Sequence, residues 1–183
     1  MSTSISRRGF LGNLTLATTG IALSSTASVV SALTEDQQVL NANNPQPNTT
    51  ADMRQTLLGK QVSVKGTVFN KDGSATVPNA RIEVWHLSPN SKDYGHRATF
   101  TSDANGNYKF ITDVPYTTNG TISSIHFKIS RRESSYVSQL WMNEHSAYID
   151  SDHWERNQHL GELLLPKKEC GYLCDEIRFN FSI

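Results

Sequence analysis

The sequence has little of what would place the protein in a membrane or on a nucleic acid. It contains no run of 18 or more strongly apolar residues, so a transmembrane helix is not expected. Its 17 lysines and arginines are balanced by 17 aspartates and glutamates. No basic stripe is present to bind a nucleic acid. Internal repeats are also absent, and the length suits one domain with a real hydrophobic core.

Cysteine is equally scarce. The chain has two, Cys170 and Cys174, within the stretch "ECGYLCDE". A Cys-x3-Cys pair supplies only two metal ligands, and no equivalent second pair exists, so a zinc site is not expected. An oxidising compartment would permit a disulfide between the two. A local disulfide and two separate thiols both remain open.

Acidic residues are missing from the beginning of the chain, where the first is Glu35. Residues 6–11, "SRRGFL", precede a weakly apolar stretch rich in Ala, Ser and Thr and resemble a twin-arginine export signal. Small residues at 30–32 predict cleavage after Ala32, which would make the mature protein periplasmic or secreted. Losing Arg7 and Arg8 leaves 17 − 2 = 15 basic residues against 17 acidic ones. An ordinary Sec signal is the alternative.

Residues 33–60 are polar, rich in Asn, Gln and Thr, and contain Pro45 and Pro47. This composition predicts a leader or linker with at most a short helical turn, outside the core. The pattern changes at residue 61. We therefore expect three parts: a signal peptide over 1–32, a polar leader over 33–60 and a folded domain over 61–183.

Within the domain, six segments have the alternation or composition of β-strands. They are "QVSVKGTVF" (61–69), "RIEVWH" (81–86), "NYKF" (107–110), "SIHFKI" (124–129), "YVSQLWM" (136–142) and "EIRFNFSI" (176–183). Turn residues separate them, including Asn105-Gly106. Because no long amphipathic helix is evident, the fold class is predicted to be all-β, an antiparallel β-sandwich.

The strand at 124–129 carries a histidine on its polar side. Ile125, Phe127 and Ile129 share one face, whereas Ser124, His126 and Lys128 share the other. A polar-side histidine is by itself more often structural than functional. The neighbouring segments favour a functional role for His126.

The order of "EVWH", "TSDANGNYKF", "VPY", "IHF" and "SQLWM" resembles the intradiol ring-cleavage dioxygenases, the family of protocatechuate and catechol dioxygenases. The resemblance runs from about Val62 to about Asp152. Its early part also occurs in transthyretin-like and carboxypeptidase-regulatory-like binding domains. The features that favour the dioxygenases are Trp85, the tyrosine nine residues after it, and the "IHF" strand.

The resemblance implies a non-haem ferric ion, Fe(III), held by two tyrosines and two histidines. Tyr94 in "DYGH" and Tyr116 in "VPY" match the tyrosines, and His126 matches the second histidine. Ser124 stands where the first histidine is expected. Gln139 matches a glutamine near the family's active site and is the candidate catalytic residue.

The serine leaves the fourth metal ligand open. The remaining histidines are His86, His96, His145, His153 and His159. Of these, His145 and His153 rank first as replacements because they follow the strand next to the predicted site. Each of the five is otherwise expected to be a surface or structural residue.

The function that the resemblance implies is cleavage of a catechol-type aromatic ring between its two hydroxyls with dioxygen, as a step of aromatic compound catabolism. A homo-oligomer is compatible with the sequence, and no nucleic-acid partner is expected. The alternative is a metal-free β-sandwich that keeps the scaffold and acts as a binding or structural domain.

Overall fold

The computed structural model describes residues 51–56, 58–89, 91, 93–117, 122–149 and 152–183. The predicted signal peptide, its cleavage site and most of the leader lie outside these residues and stay predictions. In the described part the strands are β1 Gln61–Phe69, β2 Arg81–His86, β3 His96–Thr101, β4 Asn107–Asp113, β5 Ser123–Arg131, β6 Ser134–Met142, β7 Ala147–Ile149, β8 Lys167–Glu169, β9 Cys174–Arg178 and β10 Phe181–Ser182.

The strands form two sheets. Sheet one has β1 at its centre, with β4 on one side and β9 and β10 on the other, and β8 extends it beyond β9. Sheet two has the order β3-β2-β5-β6-β7 and is antiparallel throughout. This confirms the predicted β-sandwich. The pairings of β1 with β9 and with β10 are parallel, which the sequence pattern does not predict.

Alternating side chains of both sheets form one core. In β5 the residues Ile125, Phe127 and Ile129 are fully buried, while the residues between them face away from sheet one. Phe127 packs against Phe179 and Phe181 at ring-centroid distances of 5.3 and 5.2 Å. The period-two pattern of the sequence therefore fixes which side of sheet two is apolar.

The last predicted strand, residues 176–183, is interrupted. Phe179 and Asn180 lie between β9 and β10, and the side-chain Oδ1 of Asn180 accepts the backbone N–H of Thr67 at 2.9 Å. At Gly66 an added Cβ would lie 1.8 Å from the carbonyl oxygen of Phe179. Glycine is needed here for close approach of two backbones.

The segment before β1 differs from its prediction. Met53 is buried in the core, its N–H donates to Ile111 O at 2.8 Å, and Asp52 forms a parallel bridge with Ile111. The expectation that residues 33–60 stay outside the core is wrong for this part. A polar composition hid one buried methionine that docks on β4.

Helical structure in the described residues is short. Helix α1 spans Asp152–Asn157 and is followed by a 3₁₀ helix over Gln158–Leu163. None of the helices in the described part of the chain has the length and apolar character needed to span a membrane.

Cys170 and Cys174 are free thiols, the first exposed and the second half-buried. Of the two alternatives for this pair, the structure has the separate thiols.

Candidate functional site

The candidate site lies on the face of sheet two that points away from sheet one. Four side chains follow one another across this face in register, because Trp85 pairs with Arg97 on one side and with His126 on the other, and His126 pairs with Gln139. This row crosses β3, β2, β5 and β6. It brings Trp85, the candidate histidine and the candidate glutamine together.

His126 is the centre of the row. Its imidazole stacks on Trp85 with a centroid distance of 5.5 Å and an interplanar angle of 13°. The ring of Tyr94 meets it edge-on, with a centroid distance of 6.0 Å and an angle of 64°. Burial lowers the pKa of His126 to about 4. The imidazole is therefore neutral at pH 7, as a metal ligand must be.

Tyr94 lies in the loop between β2 and β3, and this loop is tied down on both sides. The Arg97 side chain donates from Nε to Tyr94 O at 3.1 Å, and its Nη2 contacts the same oxygen. The N–H of Ser88 donates to Asp93 O at 2.8 Å. The backbone at Tyr94 is thus fixed from both directions.

Tyr116, the second candidate tyrosine, follows β4 and is half-buried. Its backbone N–H contacts Leu87 O at 3.3 Å, just past the end of β2. This contact holds the backbone at Tyr116 close to the strand end that carries Trp85. Its role as a ligand stays a prediction.

Ser124 points to the same side of β5 as His126, pairs with Trp141 of β6 and is half-buried. Trp85 is fully buried, yet it lies on the outer face of sheet two. The indole N–H groups of Trp85 and Trp141 are buried and find no hydrogen-bond acceptor in the part of the chain that the structure describes.

Two of the other histidines point into the end of the sandwich rather than to this row. His86 and His96 are fully buried and stack on each other at 4.7 Å. The Nε2 of His86 lies 2.7 Å from Thr112 Oγ1, and its Nδ1 lies 2.7 Å from Leu87 O. Burial lowers the pKa of His86 to about 3. Both are structural, as the sequence suggested.

The two histidines ranked first as replacement ligands lie elsewhere. His153, in α1, stacks on Tyr136 at 4.1 Å, and its Nε2 lies 3.0 Å from Ser182 O. Tyr136 pairs with Ile129, three residues along β5 from His126. His145 lies in the exposed turn between β6 and β7 beside Glu144. Ranking them by order along the chain was misleading, because neither side chain is brought to the row.

The chemistry of the donors that do meet suits a ferric ion. A hard trivalent cation prefers anionic oxygen, which the phenol of Tyr94 supplies once deprotonated, and imidazole suits iron as well. Tyr94 and His126 offer one donor of each kind in ring contact. No cluster of three or more His, Cys, Asp or Glu side chains that could hold a metal occurs among the described residues.

The sequence did not indicate Arg97, Asp113 or the contacts of His96. Asp113 ends β4 and is buried, and its Oδ2 lies 3.0 Å from His96 Nε2. An aspartate two residues before a proline was the only sign in the sequence, and it does not show that Asp113 is buried. Its partner, 17 residues away in the other sheet, could not be read from the pattern.

Comparison with known proteins agrees with this fold. No protein-family model matches the chain. Hydroxyquinol 1,2-dioxygenase of Corynebacterium glutamicum is 38% identical over 68 residues, which are 32% of this chain and 22% of that enzyme. The chain thus matches about a fifth of the length of this curated relative.

Solved structures align over a much larger part. The dioxygenase domain of a dioxygenase carbohydrate-binding protein fusion from Streptomyces sp. SirexAA-E has a TM-score of 0.56 at 16% identity, covering 76% of this chain and 90% of that one. An intradiol ring-cleavage dioxygenase from Tetranychus urticae has a TM-score of 0.56 at 14% identity, covering 76% and 88%. Catechol 1,2-dioxygenase from Acinetobacter sp. ADP1 has a TM-score of 0.52 at 15% identity, covering 86% and 72%. The likeness establishes the β-sandwich fold that these intradiol dioxygenases have.

Proposed function

We propose that the protein is an exported, non-haem ferric dioxygenase of the intradiol type, which cleaves a catechol-type aromatic ring between its two hydroxyls with dioxygen. The observation that carries this proposal is the contact of Tyr94 with His126, at 6.0 Å between ring centroids, beside Trp85. Tyr94 and His126 are 32 residues apart in the sequence, yet their rings meet on the outer face of sheet two, where neither contributes to the hydrophobic core.

The ligands proposed for the iron are Tyr94, Tyr116 and His126. When bound, the ferric ion acts as a Lewis acid toward the catechol hydroxyls. His126 contributes a neutral nitrogen because burial keeps its pKa near 4. A free tyrosine has a pKa of about 10, so Tyr94 would bind as a phenolate only together with the metal. The contacts of Arg97 with Tyr94 O fix the backbone from which the phenol would bind.

Gln139 is proposed to contact the substrate. It pairs with His126 across β5 and β6, is half-buried, and shares the outer face with the predicted metal site. Its amide can both donate to and accept from a hydroxyl, which suits a catechol. The same row carries Trp85, whose ring backs His126 rather than the substrate position.

The fourth ligand position falls to Ser124 or to a water that it orients. Ser124 lies two residues from His126 on the same face, which is the spacing of a shared metal site. A neutral serine hydroxyl is a weak ligand for iron. We therefore expect weaker iron binding than a site with two histidines would have.

Metal analysis of the purified protein tests the proposal. Ferric iron bound by tyrosinate gives visible charge-transfer absorbance, whereas metal-free protein gives none. Tyr94→Phe should remove absorbance and iron together without unfolding the protein, because the Tyr94 loop lies outside the core. Retained iron in this variant would remove Tyr94 from the ligand set.

The second candidate function is a metal-free binding domain for aromatic compounds. Ser124 favours it, because this residue takes away one of the two expected imidazoles. The outer face would then bind an aromatic ring through Trp141 and Tyr148, which are paired on adjacent strands. Protein that takes up no ferric iron under metal-replete expression, yet binds catechols, would establish this function instead.

Export is proposed from the sequence alone. Replacing Arg7 and Arg8 by lysine should leave the precursor in the cytoplasm if the twin-arginine route is used. Unchanged export of the variant would point to the Sec route.

A further inference from the structure

A polar network with two buried members, Asp113 and His96, lies next to the Tyr94 loop and joins three parts of the chain. Asp113 is its centre, at the end of β4 in sheet one. Its Oδ2 accepts the N–H of Gln55 at 2.8 Å and lies 3.0 Å from His96 Nε2 in sheet two. Its Oδ1 accepts the Thr56 hydroxyl at 3.1 Å. One carboxylate thus holds the segment before β1, the start of β3 and the end of β4 together.

The carboxylate is ionised in this setting. Burial raises the pKa of Asp113, but the N–H of Gln55, the imidazole of His96 and the Thr56 hydroxyl lower it, and the net result lies below the ordinary value. Several hydrogen bonds to one buried carboxylate stabilise its charged form. Removing the charge therefore weakens several contacts at once.

From Asp113 the contacts lead to Tyr94 within two residues. The other ring nitrogen of His96, Nδ1, lies 2.9 Å from Ser88 Oγ, on the opposite side of the loop. The Gln55 side chain donates to Gly95 O at 3.2 Å. The residues on both sides of the loop are therefore anchored to the network, and so is Gly95, the neighbour of Tyr94.

Gly95 shows how closely the loop is fitted. A Cβ added at this position would lie 2.6 Å from Ser88 Oγ. A side chain here would push Ser88 away from His96. The absence of a side chain at residue 95 is what lets the serine reach the imidazole.

Ser88, His96 and Asp113 are joined in the same order as the catalytic residues of serine hydrolases. The surroundings argue against hydrolysis. His96 is 1% exposed and both of its ring nitrogens are engaged, so it has no path to a leaving group. The backbone N–H of Ser88 donates to Asp93 O and is not available to an oxyanion.

We propose that Asp113 and His96 are positioning residues that set the ring of Tyr94 against His126. The expected effect on iron binding rests on the proposed function. The positioning of the Tyr94 ring does not, because the contacts that hold it are present without metal. The ring of Tyr94 meets His126 because its loop is held from below through His96 and Ser88 and from the side by Arg97. The docked segment at 55–56 completes the device by sharing the same carboxylate.

The test follows the Tyr94 ring directly in metal-free protein. The full chain is labelled with 3-fluorotyrosine, which gives one fluorine resonance for each of its six tyrosines. The Tyr94 resonance is assigned as the one lost in Tyr94→Phe. Asp113→Asn and His96→Leu should shift or broaden this resonance, while Tyr108, buried in the core, stays unchanged.

Two controls separate positioning from general loss of stability. Asp175 is also buried, also ends up ionised, and pairs with Lys168 at 2.9 Å. Asp175→Asn should destabilise the fold and leave the Tyr94 resonance in place. His96→Gln keeps an N–H donor at the position of Nε2 and should restore the resonance that His96→Leu loses. If His96→Leu does not fold, Asp113→Asn and Ser88→Ala carry the test.

Ferric titration of the same variants provides the second readout. Loss of a residue that orients a metal ligand weakens metal binding by roughly ten- to a hundredfold, so Asp113→Asn should fall in this range and Asp175→Asn should not. An unchanged Tyr94 resonance in Asp113→Asn and His96→Leu would overturn the inference, as would an equal change in Asp175→Asn. Covalent labelling of Ser88 by a fluorophosphonate would overturn it in favour of hydrolysis. If no variant, nor the unmodified protein, takes up iron, the proposed function fails while the fluorine result still decides the positioning.

Discussion

The two faces of β5 are built on the same nine residues and do different work. The inner face consists of Ile125, Phe127 and Ile129, which are fully buried. Other apolar side chains that pack equally well could replace them. The outer face has Ser124, His126 and Lys128, and His126 contacts two aromatic rings. Stability therefore depends on one face and the proposed chemistry on the other, because successive side chains in a strand point to opposite sides.

The largest expected effect is on the inner face. Phe127→Ala removes a ring that packs against Phe110, Phe179 and Phe181 and should lower the free energy of unfolding by about 3–5 kcal/mol. Denaturant unfolding measures this. An effect below about 1 kcal/mol would mean that the core collapses around the cavity and that the contrast between the faces is weaker than described.

The second largest expected effect is the loss of stability in acid, which should act through the buried His86. Burial sets the pKa of His86 at about 3 in the folded state, below the value of about 6.5 in the unfolded chain. The unfolded chain therefore binds the proton first, and stability present above pH 6.5 is lost as the pH falls toward 3. The slope is at most about 1.4 kcal/mol per pH unit for one such group.

A matched pair of variants checks this assignment. His86→Asn keeps a donor toward Leu87 O but cannot be protonated, so it should make the decline between pH 6.5 and 4 shallower by up to about 1.4 kcal/mol per pH unit. Part of the decline should remain, because burial also lowers the pKa values of His126 and His153 to about 4. His145→Asn changes an exposed histidine and should leave the decline as it is. Equal slopes in His86→Asn and the unmodified protein would assign the acid sensitivity to other groups.

On the outer face, His126→Ala should lower the free energy of unfolding only slightly and weaken iron binding strongly. It removes a half-buried ring that packs on Trp85, which is worth about 1 kcal/mol, whereas the proposed iron site loses its only histidine ligand. Unfolding and ferric titration on the same sample compare the two. Iron binding as tight as in the unmodified protein would take His126 out of the site.

The smallest expected change in stability is that of Ser124→His. The side chain lies on the outer face two residues from His126, so a second imidazole can reach a shared metal without entering the core. Ferric affinity should rise, with unfolding free energy within about 0.5 kcal/mol of the original. A fall in affinity would mean that the serine itself orients a ligand.

The sequence predicted the fold where alternation was strong and failed where it was weak. The bounds predicted for β1 and β2 are those observed. β3 is not among the predicted strands because only one of its three inner positions, His96, Ala98 and Phe100, carries a large apolar side chain. β8 consists of three charged residues, and its place in sheet one follows from pairing with β9.

For the candidate site the outcome is similarly divided. Strand parity predicted that Ser124 and His126 share a face, and the resemblance indicated Tyr94, which the structure brings to His126. Neither could reveal that Asp113 lies under the loop, because that contact joins the two sheets. Long-range polar contacts carry no periodic signal along the chain.

The parallel pairing of β1 has a consequence for how the chain acquires its structure. Val68 of β1 pairs with Phe181 of β10, a separation of 181 − 68 = 113 residues. Closing such a large loop costs entropy before any contact repays it, so folding is expected to be slow compared with a helical protein of this size. Until the last strands are synthesised, one edge of β1 stays open to other chains. The protein therefore depends on β9 and β10, within residues 174–183, to cover this edge of β1 and protect it from aggregation.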